Sequence, residues 1–215
     1  GEGIRNLYVR NCSFYENYYG ITVSQHYSGY WHDIVFDGCS FHNNKSFGAS
    51  AGGATPETTI KFINCAFNNN HGHGLNITGR GVSVTNCRIS GNEGHGIRAY
   101  NTRDFKIESN QILNNLQNGI SVTIDVDAPF VGIVSGNTIC NNNTYGASFS
   151  NAQLWSSTTI SKLMVAMNFT GNQDFLQFPG WVASAIIQPD ERILNGGNIY
   201  QCIQKGTTAS SGIGP

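Results

Sequence analysis

The chain has 215 residues, 12% of them charged, with a formal net charge of −1 and a pI near 6.6. Its Lys and Arg residues are scattered rather than gathered into one stripe, which leaves no basic footprint for a nucleic acid, and no apolar run approaches the roughly eighteen residues of a membrane span. With 26 Gly, only 5 Pro and runs such as Asn68-Asn69-Asn70 and Asn141-Asn142-Asn143, the composition favours many short strands broken by tight turns over long amphipathic helices.

In chain order, the first repeated feature is a short motif with an apolar residue on either side of a Cys. It runs from Val9 through Cys12 to Phe14, from Phe36 through Cys39 to Phe41, from Phe62 through Cys65 to Phe67, and from Val84 through Cys87 to Ile89. Asn replaces Cys in the next copies, Ile107–Asn110–Ile112 and Val134–Asn137–Ile139, and a fainter copy carries Met167 and Phe169. Successive copies lie 22 to 30 residues apart. A Gly follows each Cys or Asn by eight or nine residues and opens a second apolar run: Gly20, Gly48, Gly74, Gly96, Gly119 and Gly146. A period in the twenties is that of a solenoid, and strand alternation points Val9, Phe14, Ile21, Val23 and their equivalents the same way. The expected fold is all-β: a right-handed single-stranded parallel β-helix of about seven coils over residues 1–180, followed by a short β extension over 181–215. The repeat is already running by Leu7 with no visible cap before it, so the sequence reads as an excised domain whose first coil stacks on upstream coils or on a trimer partner.

The Cys column reads as a ladder of inert thiols, because stacked side chains pointing one way make poor disulfide geometry and no Cys-x-x-Cys suggests zinc. Asn110 and Asn137 continue it as a side-chain amide ladder. His71, His73 and His95 precede Gly markers and read as solvated turn residues, with His73 stacked on His95. The alternative is an acid/base role beside Tyr100 and Arg103.

Coils differ in length after the Gly strand, through inserts at 24–33, 50–57, 123–129 and 150–156. Inserts at one position of successive repeats build one wall of a solenoid. They carry Tyr27, Tyr30, Trp31 and Trp155, and shorter turns carry Tyr100 and Arg103; these are the expected substrate-binding residues, offering flat rings and hydrogen bonds to a sugar polymer. For glycoside hydrolysis, Asp104 with Asp125 or Asp127 forms the best carboxylate pair, about one coil apart, with Glu57 and Asp33 as further candidates. A lyase would instead use a base such as His95, Tyr100 or Arg103 near a uronate C5 proton, and the sequence leaves both reactions open. Asp125 and Asp127 alone are too few ligands for Ca²⁺, so neither metal nor cofactor is expected.

From Trp181 the repeat stops, and two strand-like runs flank Asn195, Gly196 and Gly197 as in a hairpin. Trp181, Arg192, Gly197, Asn198, Tyr200, Gly206, Thr207, Ser211, Gly212 and Pro215 resemble the start of a module that recurs in bacteriophage tail and tailspike proteins. The coils resemble the pectate-lyase-like β-helix superfamily. Together these resemblances imply a tailspike domain, a homotrimer in the virion tail that binds and depolymerises capsular or O-antigen polysaccharide of the bacterial surface, with hydrolysis favoured over lysis. They carry no catalytic residue over. The alternatives are a non-catalytic receptor-binding or stalk segment of such a spike and a secreted polysaccharide lyase or epimerase.

Overall fold

Each repeat folds into three short strands separated by corners, and each strand pairs in parallel with its counterpart one coil on. The computed structural model describes residues 4–24, 31–53, 58–124 and 131–151, and beyond these the backbone of Lys162–Thr170, Asp174–Gln177, Ile186–Ile187, Arg192–Asn195, Asn198–Gln201 and Gly206–Thr207. The first column stacks Arg5–Arg10, His32–Asp37, Ile60–Ile63, Val82–Thr85, Phe105–Glu108 and the start of Val131–Cys140. The second stacks Ser13–Tyr15, Ser40–His42, Ala66–Asn68, Arg88–Ser90, Gln111–Leu113 and the end of Val131–Cys140. The third stacks Ile21–Ser24, Ala49–Gly52, Leu75–Arg80, Ile97–Arg103, Ile120–Ile124, Tyr145–Asn151 and Asp174–Gln177. This is the expected parallel β-helix, with about five turns rather than seven. No helix occurs among the described residues.

Period-two alternation sends one face of every strand into a common interior. Phe36 stacks on Phe62 with centroids 5.0 Å apart, and Phe14, Phe41 and Phe67 form a second stack at 5.0 and 4.8 Å. Parallel in-register pairing causes this, because Phe36 lies opposite Phe62 and Phe41 opposite Phe67. Fully burying such a ring is worth roughly 1.5–3 kcal/mol. At the open edge of the first coil the same positions are uncovered: Leu7 is 37% exposed, whereas its neighbour in the next coil, Ile34, is 0% exposed.

The corners explain the rest of the motif. The residue before each Cys or ladder Asn adopts a left-handed backbone with φ between 52° and 64°, and these residues are Asn11, Gly38, Asn64, Asn86, Ser109 and Gly136. Asn and Gly tolerate that conformation best. The next corner is left-handed at Glu16, Asn43, Asn69, Gly91, Asn114 and Asn141. One residue further on lies an amide ladder that the sequence concealed within its Asn runs: Asn44, Asn70, Asn92, Asn115 and Asn142, all buried. Both the backbone N–H and Nδ2 of Asn70 donate to Oδ1 of Asn92, at 3.0 and 2.9 Å, and Asn92 donates likewise to Asn115 at 3.1 and 2.8 Å. Each Nδ2 also reaches back to a carbonyl of the preceding coil, as Asn92 does to Phe67 at 3.0 Å.

The Gly markers serve this ladder. A Cβ on Gly96 would lie 2.7 Å from the carbonyl oxygen of Gly119 and 2.9 Å from Nδ2 of Asn115, so close approach between coils, rather than a left-handed φ, excludes a side chain there.

Cys39, Cys65 and Cys87 are buried free thiols, as expected, and Cys12 is an exposed one on the end coil. Their S–H groups donate to carbonyls of the preceding coil, Cys65 to Phe36 at 3.4 Å and Cys87 to Phe62 at 3.5 Å. Burial pushes the Cys39 thiol up from its ordinary value. The column then passes to amides: Asn110 Oδ1 accepts from the Cys87 N–H at 2.9 Å, and Asn110 Nδ2 donates to Asn137 Oδ1 at 2.9 Å. Beyond the coils, Arg192–Asn195 pairs antiparallel with Asn198–Gln201 around the anticipated turn.

Removing the acceptor in Asn92→Ala strands the N–H and Nδ2 of Asn70, and a loss of about 3 kcal/mol or more is expected in denaturant unfolding. Thr102 behaves in the opposite way, since its buried hydroxyl has no hydrogen-bond partner; Thr102→Val is expected to raise stability by about 1 kcal/mol.

Candidate functional site

Of the carboxylate and substrate-binding candidates singled out in the sequence, Trp31, Asp33, Tyr100, Arg103 and Asp104 fall among the described residues, while Glu57, Asp125, Asp127, Tyr27, Tyr30 and Trp155 lie outside them. Trp31 is half-buried and packs against the hydrophobic core. Asp104 forms a one-residue corner with φ 53° between Ile97–Arg103 and Phe105–Glu108. Its carboxylate lies 3.7 Å from Nη1 of Arg80, on the preceding coil.

The third column turns its other face outward. Two residues after each Gly marker stand Thr22, Ser50, Asn76, Arg98, Ser121 and Ser148, in register along the solenoid; Asn76, Ser121 and Ser148 are buried, and Ser50 and Arg98 are half-buried. A second outward row contains Thr78, Tyr100, Thr123 and Ser150. Parallel neighbours repeat about every 4.8 Å, so the face is a strip of short hydroxyls and amides along the axis, interrupted by one cation and one phenol. Ser50 and Asn76 are joined by a 3.2 Å hydrogen bond from Asn76 Nδ2, and Arg98 Nη1 donates to Asn76 Oδ1 at 3.2 Å. The Arg98 guanidinium carbon sits 4.7 Å from the centroid of the Tyr100 ring, a cation–π contact that holds the side chain along the strip. Among the described residues no carboxylate pairs with Arg98.

Chain length sets where this strip is accessible. One residue, Gly81, links Leu75–Arg80 to Val82–Thr85, and one residue, Asp104, links Ile97–Arg103 to the next coil. The equivalent links elsewhere are the insert segments. Arg98, Tyr100, Arg80, Arg103 and Asp104 therefore cluster on the two coils whose third-column strands end without an insert. Sequence reasoning reached Tyr100, Arg103 and Asp104 of this cluster. It missed Arg98, Asn76, Ser50 and Ser121, although their constant offset from the Gly marker is a legible signal.

Behind the strip, the rings of Phe47, His73 and His95 stack at 5.1 and 4.9 Å. The stacking of His73 on His95 was anticipated; their role differs from a solvated turn residue or a free base. Nδ1 of His73 accepts the His95 N–H at 2.9 Å, and Nδ1 of His95 accepts the Asn118 N–H at 3.1 Å. Each ring is thus a neutral acceptor committed to the next coil. Burial, then His95 and Arg98, lowers the His73 pKa to about 4; burial, then Arg98, lowers that of His95 to about 4. The unfolded chain binds more protons than the folded one between about pH 4 and pH 6.5, so the stabilisation is fully present above that window and is lost as pH falls through it. Thermal melts are expected to show a falling midpoint from pH 7 to pH 4, and a smaller fall in the His73→Phe, His95→Phe double variant. Equal slopes in the two proteins would assign the effect to carboxylates.

The fold is similar to that of the mannuronan C-5 epimerase AlgE4 A-module from Azotobacter vinelandii, with a TM-score of 0.60 and 20% identity over 82% of this chain and 56% of that one. The AlgE6 A-module from the same organism gives a TM-score of 0.61 and 17% identity over 83% and 52%. A variant of the periplasmic alginate epimerase AlgG gives 0.53 and 17% over 80% and 40%. The chain thus spans about half the length of the two A-modules. No curated protein matches it by sequence. The family described as right handed beta helix region matches residues 2–162, and the chain belongs to that family.

Proposed function

We propose that the outward face of the third column binds an extended polysaccharide and that the Tyr100–Arg103 region processes it. The observation that carries this is the strip itself: Thr78, Tyr100, Thr123 and Ser150 stand in register on successive coils, half-buried or exposed, with half-buried Arg98 beside them where the connections shorten to one residue. Short hydroxyls and amides at a regular spacing match the regularly spaced hydroxyls of a sugar polymer, and a ring face beside them stacks on a pyranose. The similarity of fold to alginate epimerases supports a polysaccharide as ligand by analogy.

Two chemistries are weighed by what surrounds each group. Asp104 faces Arg80, and its expected hydrolytic partners Asp125 and Asp127 lie outside the described residues. Tyr100, by contrast, has a guanidinium over its ring, which stabilises a developing phenolate, and His95 is occupied by the Asn118 N–H. The favoured reaction is therefore proton abstraction by Tyr100 from C5 of a uronate whose carboxylate is held by Arg98, with Arg103 further along the same strand. If the C4–O4 bond then breaks, the leaving oxygen gains a proton and a C4=C5 double bond forms, which is lysis. Should a proton instead return to C5 from the opposite side, the sugar is epimerised. The hydrolytic tailspike reading is the second, supported by the resemblance of residues 181–215 to phage tail modules; it makes the protein a homotrimer of the virion tail acting on bacterial capsule or O-antigen. A secreted enzyme is the setting that goes with the first.

The test incubates the chain in D₂O with a panel of bacterial capsular, O-antigen and exopolysaccharides and follows chain length, ultraviolet absorbance of unsaturated uronate, and deuterium at C5. Absorbance or deuterium that drops at least a hundredfold in Tyr100→Phe is the expected outcome. Shortening with neither signal, abolished by Asp104→Asn, would establish the hydrolase instead.

A further inference from the structure

We infer that the polymer bound here is a heteropolysaccharide with one acidic sugar among neutral ones, its carboxylate seated on Arg98, and not a polyuronate charged at every sugar. This rests on the third-column face being the polysaccharide site and adds the charge pattern of its ligand.

Along six successive third-column strands the position two residues after the Gly marker is neutral at Thr22, Ser50, Asn76, Ser121 and Ser148, the last three buried, and cationic only at Arg98. The adjacent row is neutral at Thr78, Tyr100, Thr123 and Ser150. Among the described residues, nearby charge is confined to the same two coils. Arg80 is neutralised by Asp104 at 3.7 Å, Arg103 follows Tyr100 on the same strand, and His73 and His95 are neutral acceptors behind the strip. Arg98 itself is half-buried, fixed by Asn76 and by the Tyr100 ring, and has no protein carboxylate as partner among the described residues. One of its donors is satisfied by Asn76, and the planar fork that remains fits a carboxylate in bidentate fashion.

A polymer lying along the axis advances by about one sugar per coil, since coils are about 4.8 Å apart. A polyuronate would then set carboxylates against Ser50, Thr78, Thr123 and Ser150, which are half-buried or exposed, giving up water for neutral hydroxyls with no opposite charge in return. A heteropolymer sets its neutral sugars there and its acid on Arg98.

Titration calorimetry on the full chain with three kinds of probe tests the assignment: a uronate hexamer, a set of bacterial polysaccharide fragments of two repeating units with one uronic acid in each unit, and the same fragments with that carboxyl reduced to a primary alcohol. The tightest ligand is expected among the single-acid fragments. Reducing its carboxyl, or making Arg98→Gln, should each weaken binding at least tenfold, and the two changes together should cost little more than either alone. Arg98→Lys should recover part of the loss, and unchanged melting midpoints would show that the variants are folded. Equal or tighter binding of the uronate hexamer would overturn the inference, as would a carboxyl-reduction penalty that persists undiminished in Arg98→Gln. Failure of the wild-type chain to bind any probe would overturn the polysaccharide reading beneath it.

Discussion

The structure depends on coils staying in register, and the buried Asn44–Asn70–Asn92–Asn115–Asn142 ladder is the interaction that enforces it. A corner of a solenoid leaves backbone N–H groups pointing at the next coil, where water is excluded. Here the Oδ1 of the Asn at the same position one coil on satisfies them. Oδ1 of Asn70, Asn92, Asn115 and Asn142 each accepts two hydrogen bonds, one from backbone and one from Nδ2. A slip of one residue would break both and turn every strand's apolar face outward. The Gly column follows from the same constraint, because the coils approach so closely beside the ladder that a Cβ has no room. Stacked Phe pairs then form as a consequence of register rather than as its cause.

Register also determines what the outside presents. Once coils repeat in step, any outward position becomes a line of side chains along the axis, and the chemistry of that line is set by residues far apart in sequence. On the third column this produces a neutral polar strip with a single guanidinium. The half-buried His73 and His95 sit behind it in a role that is structural: they stack with Phe47 and accept backbone N–H groups, so their lowered pKa values are consequences of packing. A shifted pKa near a candidate site is therefore no argument here for a catalytic base.

The fold was legible because its two markers repeat six times, and each marker has one physical cause: a left-handed corner before the Cys or Asn column, and close approach at Gly. The Cys and Asn110–Asn137 ladder was legible for the same reason. The longer amide ladder was hidden because Asn44, Asn70 and Asn142 sit next to left-handed Asn43, Asn69 and Asn141, and a run of Asn reads as a turn without revealing which member points inward. The candidate site was half legible. Asp104, Arg103 and Tyr100 stood out as charged or aromatic residues at short turns. Arg98 did not, since an Arg alternating with Ile97 and Ala99 looks like an ordinary exposed strand position until it is seen to have no carboxylate partner among the described residues. Nor could spacing alone foretell that Asp104 would face Arg80 on the preceding coil.

The central claim is that the third-column face is where a polysaccharide lies. Amide hydrogen exchange, measured with and without a saturating bacterial polysaccharide, addresses it directly. Added protection should concentrate in Leu75–Arg80, Ile97–Arg103 and Ile120–Ile124 and leave the first and second columns unchanged. Protection confined to Arg5–Arg10 and Ser13–Tyr15, on the uncovered first coil, or spread over the outer faces of the first two columns, would contradict the account.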